Sequence, residues 1–198
     1  MTAPRRVVLA TGNAGKLREF AALLAPRAIE VIPQTALGIA AADETGDSFE
    51  ANALIKARHA AIAAGLPALA DDSGLEVDAL GGRPGVWSAR YAGPAATDAQ
   101  NNALLLRELD GLPPIRRSAR YRCVIAYVSG ADDTAPLFAS GSWRGLIAAT
   151  PAGNGGFGYD PLFIPEGLEV TAAQLPAAEK NALSHRAAAL SGLLRLLR

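Results

Sequence analysis

The chain is 198 residues long, balances 19 Lys and Arg against 19 Asp and Glu, and is 50% hydrophobic. So apolar a composition without net charge excludes a disordered chain. It also argues against bulk nucleic acid as a partner, because that affinity rests on many Lys and Arg contacts to phosphate. The length suits one domain, or one domain with two lobes, with ample apolar material for a core.

The first segment, MTAPRRVVLATG, has two arginines but too short an apolar run for a signal-peptide core, and reads better as a first strand. No stretch approaches the roughly 18 to 20 apolar residues of a membrane span. The single cysteine, Cys123, cannot close an intrachain disulfide. These features predict a cytoplasmic protein with no membrane partner. Val7 to Ala10 is a continuous apolar run, as in a strand covered on both faces. Thr11 to Lys16 follows, and then a helical pattern places Leu17, Phe20, Leu23 and Leu24 on one face. A second strand is expected at Glu30 to Ile32, closed by Pro33. Ser48 to Ala64 reads as a long helix with Ser48 as N-cap and Glu50 near its positive end, stopped by Gly65 and Pro67.

A short strand at Ala68 to Ala70 then runs into Asp71-Asp72-Ser73-Gly74, and a glycine turn at Gly81 to Gly85 leads to Trp87-Ser88-Ala89-Arg90-Tyr91. Asp98 to Leu109 is helical. Tyr121 to Val128 and Leu137 to Ile147 are β-rich and joined by a polar turn at Asp132-Asp133. The glycine-rich loop Gly153 to Asp160 precedes a strand at Leu162 to Ile164, and the last segment is helical to Arg198. Early alternation of strand and helix, with β-rich stretches clustered later, predicts an α/β fold with a mixed sheet flanked by helices.

Four constellations carry chemistry. Thr11-Gly12-Asn13-Ala14-Gly15-Lys16 is a strand-to-helix turn whose backbone N–H groups, hydroxyl and ammonium together make an anion site, although the spacing is not that of a P-loop. Asp71-Asp72-Ser73-Gly74 sits at the expected carboxyl end of a strand, where α/β sheets place their ligands. Paired carboxylates beside a phosphate site suggest Mg²⁺, and strand alternation lets only one of the two face the ligand directly. Asp43-Glu44 is a possible source of a second carboxylate; ordinary Asx turn chemistry is the alternative for Asp71 to Gly74. In the loop Gly153 to Asp160, Phe157 offers a stacking face, whereas Tyr159 alone reads better as core. On one unbroken helix Lys180 and His185 would stand about 140° apart. A break with Ser184 capping a new helix is therefore expected, which puts His185 and Arg186 in its first turn. His59, mid-helix among alanines, reads as structural.

Thr11-Gly12-Asn13-x-x-Lys16, Ala70 to Leu75, Gly82-Arg83-Pro84-Gly85, Ser88-Ala89-Arg90-Tyr91, Gly156 to Pro161 and Ser184-His185-Arg186 occur in order over nearly the whole chain. Together they resemble the inosine/xanthosine triphosphate pyrophosphatase family, enzymes that clear deaminated purine nucleoside triphosphates. The resemblance implies a single domain over 1–198, an elongated mixed sheet with a nucleotide cleft between two lobes, dependence on Mg²⁺ and a homodimer. It implies that Thr11, Gly12, Asn13, Ala14, Gly15 and Lys16 hold the triphosphate, and that Asp72 is general base and metal ligand with Glu44 as a second metal ligand. It further implies that Ser73, Phe157, Gly158, Tyr159, Asp160, Lys180, His185 and Arg186 contact the nucleotide. A phosphohydrolase that releases inorganic phosphate or takes modified pyrimidine nucleotides, a nucleotide-binding module without catalysis, and a structural partner protein are the competing readings.

Overall fold

The computed structural model describes residues 5–27 and 29–197. Met1 to Pro4, the head of the segment read as a strand rather than a leader, and Arg198, the expected end of the last helix, lie outside the described residues. Among the described residues the strands are β1 (Arg5–Leu9), β2 (Ile29–Pro33), β3 (Ala68–Val77), β4 (Ser118–Val128), β5 (Leu137–Ile147) and β6 (Phe163–Pro165). The α-helices are α1 (Ala14–Leu24), α2 (Phe49–Ala64), α3 (Asp98–Glu108), α4 (Ala177–Leu183) and α5 (His185–Leu196). The strands form one sheet in the order β2-β1-β3-β4-β5-β6. β1 runs parallel to β2 and β3, while β6 runs antiparallel to β5, so the sheet is mixed as expected. No helix among the described residues is long and apolar enough to cross a membrane.

The described chain divides into two compact units, the first taking in residues up to Asp72, Cys123–Gly141 and Arg186 onward, the second Ser73–Arg122 and Ser142–His185. In the first, Leu9, Phe20, Leu69, Ile125, Leu190 and Leu193 are part of the core. Val7 to Ala10 is buried throughout, which explains its unbroken apolar sequence. In the second, Leu75, Leu105, Tyr121, Trp143, Tyr159 and Phe163 belong to the core.

The helix ends follow their capping residues. Ser48 is the N-cap of α2, with its hydroxyl accepting from Ala51 N at 3.2 Å, and Gly65 closes the helix in the left-handed region at φ 63°. Thr97 and Gln100 form a capping box at the start of α3. Ser184 is extended (φ −69°, ψ 157°), so the chain breaks between α4 and α5 where the spacing of Lys180 and His185 demands it.

One expectation is corrected. Asp71-Asp72-Ser73-Gly74 does not stand at the carboxyl end of a short strand but in the middle of the ten-residue β3, and the alternative of an Asx turn falls with it. Its turn-forming residues are overridden by their surroundings. Each aspartate finds a charged partner beside the strand, so neither side chain needs to fold back on its own backbone. Gly74 stays extended because another segment closes on it: a Cβ there would collide with the Gly85 carbonyl and the Ser88 hydroxyl. That hydroxyl accepts from Leu75 N at 2.9 Å and donates to Gly85 O at 2.6 Å. The glycine turn and the Ser88 segment are thus built against this stretch of β3.

Gly74→Ala should therefore overpack the strand and cost about 1 to 3 kcal/mol. For a chain of this size that lowers Tm by roughly 3 to 10 °C. Differential scanning calorimetry checks this, and an unchanged Tm would refute the close approach.

Candidate functional site

In the first unit the Thr11 to Lys16 turn begins α1. Thr11 Oγ1 accepts from Asn13 N at 3.1 Å, and the Asn13 carboxamide oxygen caps the helix by accepting from Gly15 N at 2.8 Å and Lys16 N at 3.1 Å. Space beside Gly12 is open, since a Cβ there would meet nothing within 4 Å. The turn thus has an open backbone flank next to a helix N-terminus, the arrangement that favours an anion.

The Lys16 ammonium lies 2.9 Å from Asp71 Oδ2. Asp71 also accepts from Arg186 Nε at 3.4 Å, and Arg186 Nη1 donates to Glu19 Oε2 at 2.5 Å. Glu19, Asp71 and Arg186 are all buried. Burial alone would raise the Asp71 pKa, but Lys16, Arg186 and Lys56 outweigh it and hold this carboxyl well below the usual range. Burial likewise works against the Arg186 charge, yet Asp71 and Glu19 hold it protonated more firmly than usual.

Asp72 has different company. Its Oδ1 accepts from Lys56 Nζ at 2.8 Å and its Oδ2 from Asn52 Nδ2 at 3.3 Å. The same Lys56 ammonium donates to Glu44 Oε1 at 2.7 Å, so one cation bridges the two carboxylates expected to bind metal. Burial raises the Asp72 pKa, and although Lys56 and Lys16 pull it down, burial and Glu44 prevail and the carboxyl ends above its ordinary value. Lys56 is itself raised, because Asp72, Asp71 and Glu44 outweigh its burial. Two neighbouring carboxylates thus sit in environments that push their acidities in opposite directions.

In the second unit, the glycine-rich loop is organised around Asp160. Asp160 Oδ2 accepts from Phe157 N at 2.9 Å and from Lys180 Nζ at 2.6 Å, and Oδ1 accepts from the Tyr121 hydroxyl at 3.1 Å. Gly156, at φ 71°, is required because a Cβ would run into the Asp160 carboxylate. The Lys180 ammonium stands 4.8 Å from the centre of the Phe157 ring. Tyr159 donates its hydroxyl to Ser88 O at 2.8 Å and buries its ring in the core, in line with its reading as core. Gly158 is held through both backbone groups by α3. The His185 ring stacks on Tyr121, with centroids 4.7 Å apart and planes inclined by 9°. Ser73 follows Asp72 on β3 and is half-buried.

The structure thus brings Lys16, Asp71 and Arg186 together, sets Asp72 and Glu44 on one ammonium, and gathers Phe157, Asp160 and Lys180. Outside the turn expected to bind nucleotide, His59 Nε2 lies 3.0 Å from Ala40 O, a structural tie. Sequence reasoning missed Lys56, Asn52 and Glu19. Their signal was nonetheless present: Asn52 and Lys56 are four residues apart on the face of α2 that otherwise buries Phe49, Ala53, Ala57 and Ala60. A polar pair among buried alanines needs partners, and here they are Asp72 and Glu44.

Residues 7–196 match the family model of the Ham1 family. A dITP/XTP pyrophosphatase of Methylococcus capsulatus is 58% identical over 196 residues, 98% of each chain. One of Escherichia coli O157:H7 is 54% identical over 194 residues, again 98% of each. Among solved structures, a HAM1 protein from Coxiella burnetii superposes with a TM-score of 0.88 at 49% identity, covering 98% of both chains. A nucleoside-triphosphatase/dITP/XTP pyrophosphatase from Mycobacterium abscessus gives 0.74 at 44% identity, covering 96% of this chain and 98% of that one.

Lys56→Met should leave Asp72 and Glu44 without their shared cation and cost about 3 to 5 kcal/mol at pH 7, the usual penalty for one orphaned partner of a buried pair. Without Lys56 the Asp72 pKa moves further above its unfolded value, so the folded variant takes up a proton as pH falls. The destabilisation should therefore shrink between pH 7 and pH 4.5. Urea unfolding at the two values measures it, and a loss that is equal or larger at low pH would contradict the assignment.

Proposed function

The chain belongs to the Ham1 family, and on that premise we propose that it hydrolyses the non-standard purine nucleoside triphosphates ITP, dITP and XTP to the monophosphate and pyrophosphate, cleansing the nucleotide pool before such bases enter DNA or RNA. The observation that carries this reading is the setting of Asp72, with Oδ1 on the Lys56 ammonium and Oδ2 on the Asn52 amide, while its neighbour Asp71 is tied to Lys16. A module that only binds nucleotides has little use for a carboxylate held beside an ammonium in this way, whereas hydrolysis needs a proton acceptor.

The Thr11 to Lys16 turn takes the triphosphate, with Asp71 holding the Lys16 ammonium in place. Asp72 accepts the proton of the attacking water. Lys56 places positive charge beside that carboxylate. Most of the rate comes from such positioning and charge neutralisation, as in phosphoryl transfer generally.

The residues present fit Mg²⁺. Glu44 and Asp72 converge on a position that already holds a cationic group, and both offer hard oxygen donors. No group of three or more His, Cys, Asp and Glu side chains forms a metal cage among the described residues. That suits an ion bound by one or two carboxylates and completed by substrate phosphates and water. When bound, Mg²⁺ would neutralise charge on the leaving pyrophosphate.

Phe157, backed by Lys180, supplies the stacking face, and base stacking on such a ring is worth about 1 to 3 kcal/mol. Choice of base follows from hydrogen-bond chemistry: inosine and xanthosine offer a 6-keto acceptor where adenine offers an amino donor. The N–H groups of Gly155, Phe157 and Gly158 are already spent on Ala173 O, Asp160 and Asp98. Arg186 engages Glu19 and Asp71. A donor from His185, Arg186 or another N–H of the loop would pair with the keto oxygen, and a site built on such a bond can discriminate by about 10⁴. Strands β3, β4 and β5 each contribute residues to both units, which supports one functional domain. A homodimer belongs to the same reading.

A nucleotide panel with and without Mg²⁺ tests the proposal: pyrophosphate and IMP from ITP are expected, and inorganic phosphate as the product would contradict it. Asp72→Asn should keep nucleotide affinity within a few-fold and lower kcat by about 10² to 10⁴. Unchanged turnover in that variant would remove Asp72 from the role of base.

A further inference from the structure

The face of α3 holds polar residues that the chemistry above does not use. Asp98 opens the helix and Asn102 follows one turn later, so the two side chains are neighbours. Asp98 Oδ2 accepts from Gly158 N at 2.6 Å, and Asn102 Nδ2 donates to Gly158 O at 3.0 Å. Two side chains therefore take both backbone groups of one loop residue. Between them in sequence, Asn101 is buried and grips a second segment, donating to Ala89 O at 3.2 Å and accepting from Ala92 N at 2.8 Å. The two gripped segments are joined to each other by the Tyr159 hydroxyl on Ser88 O.

A further feature marks the Asn102 contact as a placement device. Its Oδ1 is buried and has no hydrogen-bond partner among the described residues. Turning the carboxamide over would set that oxygen against Gly158 O, acceptor to acceptor, so holding Gly158 is what leaves it unsatisfied. A buried orphan acceptor is unfavourable, and packing alone would be better served by an apolar residue of the same size.

We propose that Asp98 and Asn102 are positioning residues for base binding: by fixing Gly158 they fix the adjoining Phe157 ring under Lys180, so the purine meets a preformed platform. This rests on the reading that Phe157 stacks the base, and it adds α3 as the element that sets the platform. A loop ordered beforehand need not be ordered at the moment of binding, so its loss weakens affinity rather than the chemical step.

The test compares the full-length protein with Asp98→Ala, Asn102→Ala, the conservative Asp98→Asn and a control, Gln100→Ala, which weakens the same helix start without touching Gly158. Hydrogen–deuterium exchange of residues 155–160 reads the clamp without any substrate. Steady-state kinetics on ITP with Mg²⁺ read its consequence. Asp98→Ala and Asn102→Ala should speed loop exchange about tenfold or more and raise KM about tenfold, with kcat within about twofold of wild type. Asp98→Asn, which keeps an acceptor for Gly158 N, should restore both readings most of the way, and Gln100→Ala should leave both unchanged. Unchanged loop exchange in the two alanine variants overturns the clamp. Faster exchange with unaltered KM, or a loss confined to kcat, overturns its role in base binding. Failure of the wild type to release pyrophosphate from ITP would instead refute the underlying functional reading, while the exchange data still decide the clamp.

Discussion

Two carboxylates on consecutive residues of a strand must face opposite ways, and the charged residues of the first unit are arranged around that constraint at Asp71 and Asp72. Burial pushes both carboxyls toward the neutral form, so the company each keeps decides its state. Asp71 meets Lys16 and Arg186, with Lys56 near enough to act on it, and stays ionised. Asp72 meets Lys56 and Asn52 but also the charge of Glu44, and is left more basic than an ordinary aspartate. One dipeptide therefore supplies an anchor for the Lys16 ammonium and a carboxyl that holds its proton more readily than an ordinary aspartate.

The same logic explains why helices here bury polar side chains. On α2, Asn52 and Lys56 interrupt an alanine face to reach Asp72 and Glu44, and Asn52 Oδ1 also accepts from Gly46 N at 2.8 Å. On α3, Asp98, Asn101 and Asn102 hold loop backbone. In both cases a rigid helix carries the polar group, so its placement is set by core packing and not by the loop it serves. Asp160 does the corresponding work inside the glycine loop, drawing Phe157 N, Lys180 and Tyr121 onto one carboxylate.

Local features were legible in the residues themselves. Val7 to Ala10, the Ser48 cap, the Gly65 stop and the break at Ser184 follow from apolar runs, capping chemistry and helical geometry, all of which act over a few positions. Asp71 to Gly74 did not reveal that the strand runs on past them to Val77, because turn-forming residues were held extended by partners distant in sequence: Lys16, Lys56, Gly85 and Ser88. Lys56 and Glu19 were hidden for a related reason. A lysine or glutamate on a helix reads as a solvated residue until the fold shows a buried carboxylate or guanidinium opposite it. The glycine loop pointed to a flat ligand, but nothing in its residues indicated that α3 holds it.

The most direct measurement is a carboxyl ¹³C NMR titration of selectively labelled protein, with Asp71→Asn and Asp72→Asn used to assign the two signals. Asp71 should titrate well below the ordinary aspartate value and Asp72 above it. Matching midpoints near the ordinary value, or the reverse order, would contradict the division of labour between the two carboxylates.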